Sequence, residues 1–243
     1  MMIAAAVVPH PPVLVPEIAQ GFAPDLDALR AACDLAVGRL YAAGPDEILI
    51  VGAGDRQSTD IAVTGSFREY GLDLAVDGRW PAAGATSIPM TLPFLIGAWL
   101  LRDRPATPVR HAAMVDGSVT GPLPLPVTAT GRRQALLVLG DGSASRTQQA
   151  PGHFDERAEP YDAAVARALA TVDTKALAAL DPDLSRALHV AGLPAWQALA
   201  AAAEASAEAS DVEYDAELLY EEAPTASATS SRRGSRADTT NRA

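Results

Sequence analysis

Apolar runs of strand length that stop at a polar residue set the pattern of this chain. Such runs, bounded by Gly, Pro or Asp, predict buried β-strands. A further strand is predicted over Thr107–Asp116, although its pattern is less regular. The three clearest runs and the polar residues that follow them are 2–8 with His10, 47–54 with Asp55, and 134–140 with Asp141.

Helical spacing of apolar residues lies between these strands. It predicts helices over 24–43, 92–101, 160–173 and 192–209, with a shorter one between 175 and 188. In the first helix the residues available for a buried face are Leu26, Leu29, Leu35, Val37 and Leu40. Strands that alternate with helices indicate a mostly parallel sheet covered on both faces. We therefore predict an α/β fold, a single domain over residues 1–222.

The remaining stretches have weaker patterns. Residues 56–90 are rich in Gly, Ser, Thr and Asp, and we expect a long excursion with short strands near 61–64 and 72–76. Gly121–Pro126 is expected to be a rigid extended connector, and 212–222 a late strand. The arginine-, serine- and threonine-rich tail, 223–243, has too little apolar surface to fold alone, so we predict that it is disordered.

Composition narrows the classes of protein. The formal net charge of −11 argues against a general nucleic-acid or anionic-membrane binder, because phosphate contacts need basic surface. The single cysteine, Cys33, excludes an internal disulfide and a cysteine-based zinc site, and we expect it in the core. There is neither a basic leader pattern nor an apolar run of about eighteen residues, so a cytoplasmic protein is expected.

Candidate chemistry lies where the strands stop. The carboxyl ends of parallel strands meet at one edge of a sheet, so His10, Asp55, Asp116 and Asp141 are expected to converge there. Pro9 and Pro11 restrict the backbone around His10. His10 is then either a ligand or acid/base group, or a residue of a rigid surface turn. The aspartates have alternatives as turn or cap residues, and Asp55 as an ion-pair partner of Arg56.

Two blocks of this chain resemble a known family. Val8-Pro9-His10-Pro11-Pro12 after a short strand, and Leu136–Ser143, resemble the class III extradiol ring-cleavage dioxygenases. This superfamily includes the catalytic subunit of protocatechuate 4,5-dioxygenase and the Memo-like proteins. The likeness continues at 48–55, 155–162 and 192–196, and spans roughly residues 1–222 in order and character.

The resemblance implies a metal site at the predicted sheet edge. Family members hold Fe(II) with two histidines and a glutamate, and a further histidine acts as acid/base while the ring of a catechol opens. His10 matches the first histidine, and Asp55 stands where the second usually lies. The Gly140–Ala144 run lacks its closing histidine, for which His153 is the best substitute. The segment 192–196, near which the glutamate would fall, has no acid.

These substitutions alter the expected chemistry. Non-haem iron oxygenases use two imidazoles and a carboxylate, whereas His10, Asp55 and Asp141 form an oxygen-rich set that suits Mg²⁺, Mn²⁺ or Ca²⁺ better. One hypothesis is a metal-dependent oxidoreductase acting on catechol-type or other small aromatic substrates, with Fe(II), another divalent metal or none. The alternative is a non-catalytic protein that reuses the fold to bind a small molecule or a partner. The resemblance also allows a homo-oligomer.

Other nucleophile and cofactor motifs are weak. Ser58 and Ser143 lack the sharp strand-to-helix turn that presents a hydrolase nucleophile. Gly52-Ala53-Gly54 is too short for a dinucleotide fingerprint, which needs a third glycine at the start of a helix. His111 lies within a predicted strand, where a structural role is favoured.

Overall fold

A four-stranded parallel sheet forms the centre of the protein in the computed structural model, which describes residues 1–81, 88–116, 131–148, 150–210 and 213–221. The strand order is β1-β6-β2-β5, and a separate hairpin pairs β3 with β4. The strands are β1 Met2–Val8, β2 Glu47–Gly54, β3 Thr64–Ser66, β4 Ala75–Asp77, β5 Val109–Asp116 and β6 Gln134–Leu139.

Seven helices follow the chain in the described residues, together with short 3-10 turns at 12–14, 20–26 and 67–70. The helices are α1 Pro16–Ala19, α2 Asp27–Ala42, α3 Leu92–Leu100, α4 Ala158–Ala170, α5 Thr174–Ala178, α6 Pro182–Ala187 and α7 Leu193–Ser210.

The sheet is covered on both faces because its strands are apolar on both faces. In β2, Ile48 and Ile50 face one core together with residues of α2 and α3. Leu49 and Val51 face the other, with α4, α5 and α7. Parallel strands buried on two sides have the near-continuous apolar sequences seen here. The predicted α/β fold with a parallel sheet between helical layers is confirmed.

The N-terminal half of α2 differs from its prediction. The helix begins at Asp27, because residues 20–26, which include Pro24, form a 3-10 turn. Leu35, predicted to be buried, is 48% exposed. The buried face instead follows Leu29, Cys33, Val37 and Leu40, so the small cysteine takes the inward position. Burial raises the pKa of the Cys33 thiol to about 12, in keeping with its predicted place in the core.

The predicted late strand over 212–222 is wrong for the residues described there, because 213–221 form no strand. Side chains hold this segment to the body. The Tyr214 hydroxyl donates to the Met2 carbonyl at 2.9 Å, and Arg39 Nη1 lies 2.7 Å from Glu217 Oε2. These two polar contacts dock the segment on the edge of β1 and on α2, and it does not pair as a strand.

Two further predictions, the connector at 121–126 and the disordered tail at 223–243, lie outside the described residues. The short strands expected near 61–64 and 72–76 correspond to β3 and β4, each shifted by a few residues toward the C-terminus. Among the described residues, no helix combines the length and apolarity that a bilayer-spanning segment requires.

Candidate functional site

The register of the sheet brings the predicted polar residues to one end. Val8 pairs with Leu139, Leu139 with Gly52, and Gly54 with Asp116. The carboxyl ends of all four strands are therefore level, as the parallel arrangement requires. Because β1 and β6 are neighbours, His10 and Asp141 follow adjacent strand ends. We call the surroundings of these two residues the carboxyl-end site.

His10 is the most deeply buried titratable group of this site, with only 5% of the residue exposed. Its backbone N–H donates to Asp141 Oδ1 at 2.6 Å, and its ring Nδ1 lies 3.6 Å from the same oxygen. Nδ1 is buried and makes no hydrogen bond. Burial lowers the pKa of His10, and the nearby Asp141 carboxylate opposes that shift in part. A neutral imidazole with an unused buried nitrogen is therefore held beside a carboxylate.

Asp162 of α4 holds the loop after β6 by a hydrogen bond. Asp162 Oδ1 accepts the backbone N–H of Ser143 at 2.8 Å, and a side chain on Gly142 would meet the same oxygen at 2.8 Å. Burial raises the pKa of Asp162, while the Ser143 N–H and Arg146 favour the ionised form. The Ser143 hydroxyl donates to the Leu188 carbonyl at 2.9 Å. Asp162 thus positions the turn that carries Asp141.

Trp196 of α7, on the same face of the sheet as α4, packs against the strand end and the turn after β6. A Cβ on Gly140 would lie 2.6 Å from Trp196 Nε1 and 2.9 Å from the Gly192 Cα, so only glycine fits at this strand end. The Gly192 N–H donates to the Asp141 carbonyl at 2.9 Å. Trp196 Nε1 is itself buried without a hydrogen-bond partner. The indole therefore serves as packing against the turn.

Asp55 follows its strand at the same end but does not join His10. Its side chain is 80% exposed and Oδ1 lies 3.5 Å from Arg56 Nε. The ion-pair alternative raised from the sequence is therefore the arrangement seen. Asp116 ends the outer strand β5 and is half-buried.

His153 lies on a loop that docks beside the turn after β6. The Gly152 N–H donates to the Ala144 carbonyl and the Asp155 N–H to the Ser145 carbonyl, both at 2.9 Å. His153 itself is exposed and has a left-handed backbone, with φ +59°. Its predicted acid/base role stays a prediction, although the loop does lie next to this end of the sheet.

His189 also has a left-handed backbone, with φ +55°. Its Nδ1 lies 3.5 Å from Ser145 Oγ. The serine is fully buried, and its hydroxyl is 3.3 Å from the Gly152 carbonyl and 3.4 Å from the Leu188 carbonyl. A buried hydroxyl that contacts carbonyl oxygens has a structural role. Ser145 and His189 are therefore not arranged as a nucleophile and its base.

The donor set does not fit the metal that the resemblance implies. An O₂-activating iron needs three protein ligands on one face, with open positions for substrate and oxygen. Of the predicted ligands, His10 and Asp141 lie together, whereas Asp55 extends into solvent beside Arg56. Over the described ranges no cluster of three or more His, Cys, Asp or Glu side chains is arranged to bind a metal ion.

A cavity at the opposite, amino end of the sheet was not foreseen from the sequence. It has a volume of about 620 Å³ and lies between the end of α2 and the start of β5. Its lining includes Tyr41, Asp46, Val109 and Arg132. Nothing local in the sequence marks these residues as neighbours, because they come from three separate segments.

Neither the comparison with protein-family models nor the comparison with curated proteins finds a match to this chain.

Proposed function

We propose that this chain is a class III extradiol dioxygenase-like protein whose carboxyl-end site binds a small hydroxylated aromatic molecule without opening its ring. The observation that carries the proposal is the pairing of His10 with Asp141. One is a buried imidazole with an unused Nδ1, and the other is a carboxylate 3.6 Å away. Asp55, which would be needed as a third metal ligand, is turned to solvent.

The chemistry of the pair suits a hydroxyl-bearing ligand. A neutral imidazole presents one donor and one acceptor, and a carboxylate accepts hydrogen bonds from O–H groups. Burial favours the neutral imidazole. The turn is held rigidly by Asp162 and Trp196, which keeps the two groups in place. Such a pair recognises a phenol or catechol by hydrogen bonds and needs no redox-active metal to do so.

The second candidate is a metal-dependent oxidoreductase that acts on catechol-type substrates. The adjacency of His10 and Asp141 favours it, since an imidazole and a carboxylate are two of the three ligand types that non-haem iron uses. A third ligand would have to be recruited. Asp55 would have to leave Arg56 and turn toward the other two residues.

One experiment separates these candidates. Purified protein, metal-free and after anaerobic addition of Fe(II), is titrated with catechol and protocatechuate by calorimetry, and oxygen uptake is followed in parallel. We expect binding without metal-dependent oxygen uptake. We also expect binding about tenfold weaker in His10→Gln, the effect of losing one hydrogen bond to a polar or charged partner.

His111→Gln is the matched control. His111 lies near the amino end of β5, where Nε2 is 3.8 Å from Glu47 Oε1, so its loss should leave binding unchanged. Thermal unfolding of both variants checks that they are folded, and Asp141→Asn provides a second test of the site. Oxygen uptake that requires Fe(II) and His10 would overturn the non-catalytic proposal in favour of the oxidoreductase. Binding that neither His10→Gln nor Asp141→Asn weakens would contradict both.

A further inference from the structure

We infer that the cavity at the amino end of the sheet is a second binding site, which takes a small organic anion with an apolar body. The cavity, about 620 Å³ in volume, falls within the range of small-molecule pockets, about 300–1,000 Å³. It is separate from the carboxyl-end site, because it lies at the opposite ends of the same strands.

A buried cation lies directly behind the cavity wall. Arg110 is fully buried, and its Nη2 donates to Tyr41 Oη at 3.0 Å and lies 2.9–3.3 Å from three carbonyl oxygens, those of Leu101, Arg104 and Pro105. Its Nε and Nη1 are buried without hydrogen bonds. Within the described parts of the chain, no carboxylate lies at ion-pair distance from Arg110. A buried charge of this kind is costly unless it is compensated, so the region favours an incoming negative charge.

Tyr41 links the buried charge of Arg110 to the cavity, because it contacts Arg110 and lines the cavity wall. The Arg110 N–H occupies an acceptor position of the Tyr41 hydroxyl, which leaves the hydroxyl proton to be donated. Its present acceptor, the Pro105 carbonyl, is a distant 3.4 Å away. Tyr41 lines the cavity, so an anion there is a better acceptor for the same proton.

The rest of the lining matches an anion with an apolar body. Arg132 lies in the wall, where its Nη1 pairs with Glu47 Oε1 at 3.2 Å, and Val109, 45% exposed, contributes apolar surface. Asp46 is the acid of the lining, and its Oδ2 already accepts the Arg133 N–H at 3.0 Å. The chain as a whole has a net charge of −11, so the grouping of Arg110, Arg132 and Arg133 near this cavity is a local feature. A carboxylate joined to a ring can contact both the polar and the apolar residues of the wall.

The test uses sodium benzoate as the probe and neutral benzamide as its isostere, titrated into the full chain and followed by amide NMR shifts and calorimetry. We expect benzoate to shift the amides of Gly44 and Val109 and to leave those of His10 and Gly142 in place. We expect benzamide to bind at least about tenfold more weakly, since a charged hydrogen-bonded group is lost.

Tyr41→Phe removes only the hydroxyl and should weaken benzoate about fivefold to tenfold. Tyr70→Phe, at the end of the 67–70 turn, is the matched control and should change nothing. Equal affinity for benzoate and benzamide, or no effect of Tyr41→Phe, would overturn the inference. So would loss of benzoate binding in His10→Gln, because the anion would then lie at the other end of the sheet. Benzoate binding that persists in His10→Gln supports the inference whether or not catechol binds.

Discussion

The two ends of the parallel sheet are built in different ways. At the carboxyl end, the turn after β6 is packed so closely that Gly140 touches Trp196 and Gly192, and His10 is almost completely buried. At the amino end, a cavity of about 620 Å³ remains open between α2 and β5. Ligands of parallel α/β proteins usually bind beyond the carboxyl ends. Here the open volume and the specific hydrogen-bonding pair lie at opposite ends.

Charge differs between the ends for a physical reason. The helices α2 and α3 run antiparallel to the strands they connect, so their C-terminal carbonyls meet the amino end of the sheet. Arg133 Nη2 donates to the Ala43 carbonyl at 2.6 Å, and Arg110 Nη2 to the Leu101 carbonyl at 2.9 Å. Cations are favoured at helix C-termini. The arginines at the amino end therefore have a structural role, and the proposed anion would reach the charge of Arg110 through the Tyr41 hydroxyl.

The largest expected effect tests the close packing of the carboxyl end. Gly140→Ala should lower the free energy of unfolding by about 3 kcal/mol, because the new Cβ collides with the Gly192 backbone as well as with Trp196. Urea denaturation measures it. A loss below about 1 kcal/mol, the scale of ordinary substitutions, would mean that this turn yields easily and is not the rigid support described above.

The second effect concerns the pH dependence of stability. Burial lowers the pKa of His10 in the folded protein, so as pH falls below the ordinary value near 6.5 the unfolded chain takes up a proton that the folded one resists. The free energy of unfolding should then fall by up to about 1.4 kcal/mol per pH unit until the folded pKa is reached. His10→Gln should flatten this profile. Urea melts between neutral and mildly acid pH provide the measurement, and an unchanged slope in His10→Gln would contradict the assignment.

A smaller effect is expected from the matching glycine at the amino end. Gly44 has φ +64°, and a Cβ there would come no closer than 3.6 Å to the Arg133 side chain. Gly44→Ala should therefore cost only about 1 kcal/mol, the strain of a left-handed alanine. The same urea melts measure it. If Gly44→Ala were as damaging as Gly140→Ala, the two ends would not differ in packing as the distances indicate.

The smallest effect is expected at Asp55. Because its ion pair with Arg56 is exposed, Asp55→Ala should change the free energy of unfolding by less than about 0.5 kcal/mol. It should also leave catechol binding unchanged in calorimetry. A strong loss of binding would place Asp55 in the carboxyl-end site and revive the three-ligand metal site predicted from the sequence.

Much of the fold was predictable because its signals are local. The strands over 2–8, 47–54 and 134–139 are apolar runs with clear breakers, and they form as expected. Leu35 and the segment 213–221 were mispredicted for a related reason. Helical or alternating spacing identifies apolar residues, but it does not say which of them a neighbouring element will cover.

The sequence by itself determined that His10, Asp55 and Asp141 would each end a strand, since breakers and apolar runs act within a few residues. Only the tertiary structure decided that β1 lies beside β6, which makes His10 and Asp141 neighbours although 131 residues separate them. It also decided that Asp55 faces solvent and that Tyr41, Val109 and Arg132 line one open cavity. Strand order and side-chain direction come from the packing of distant segments, and no local pattern encodes them.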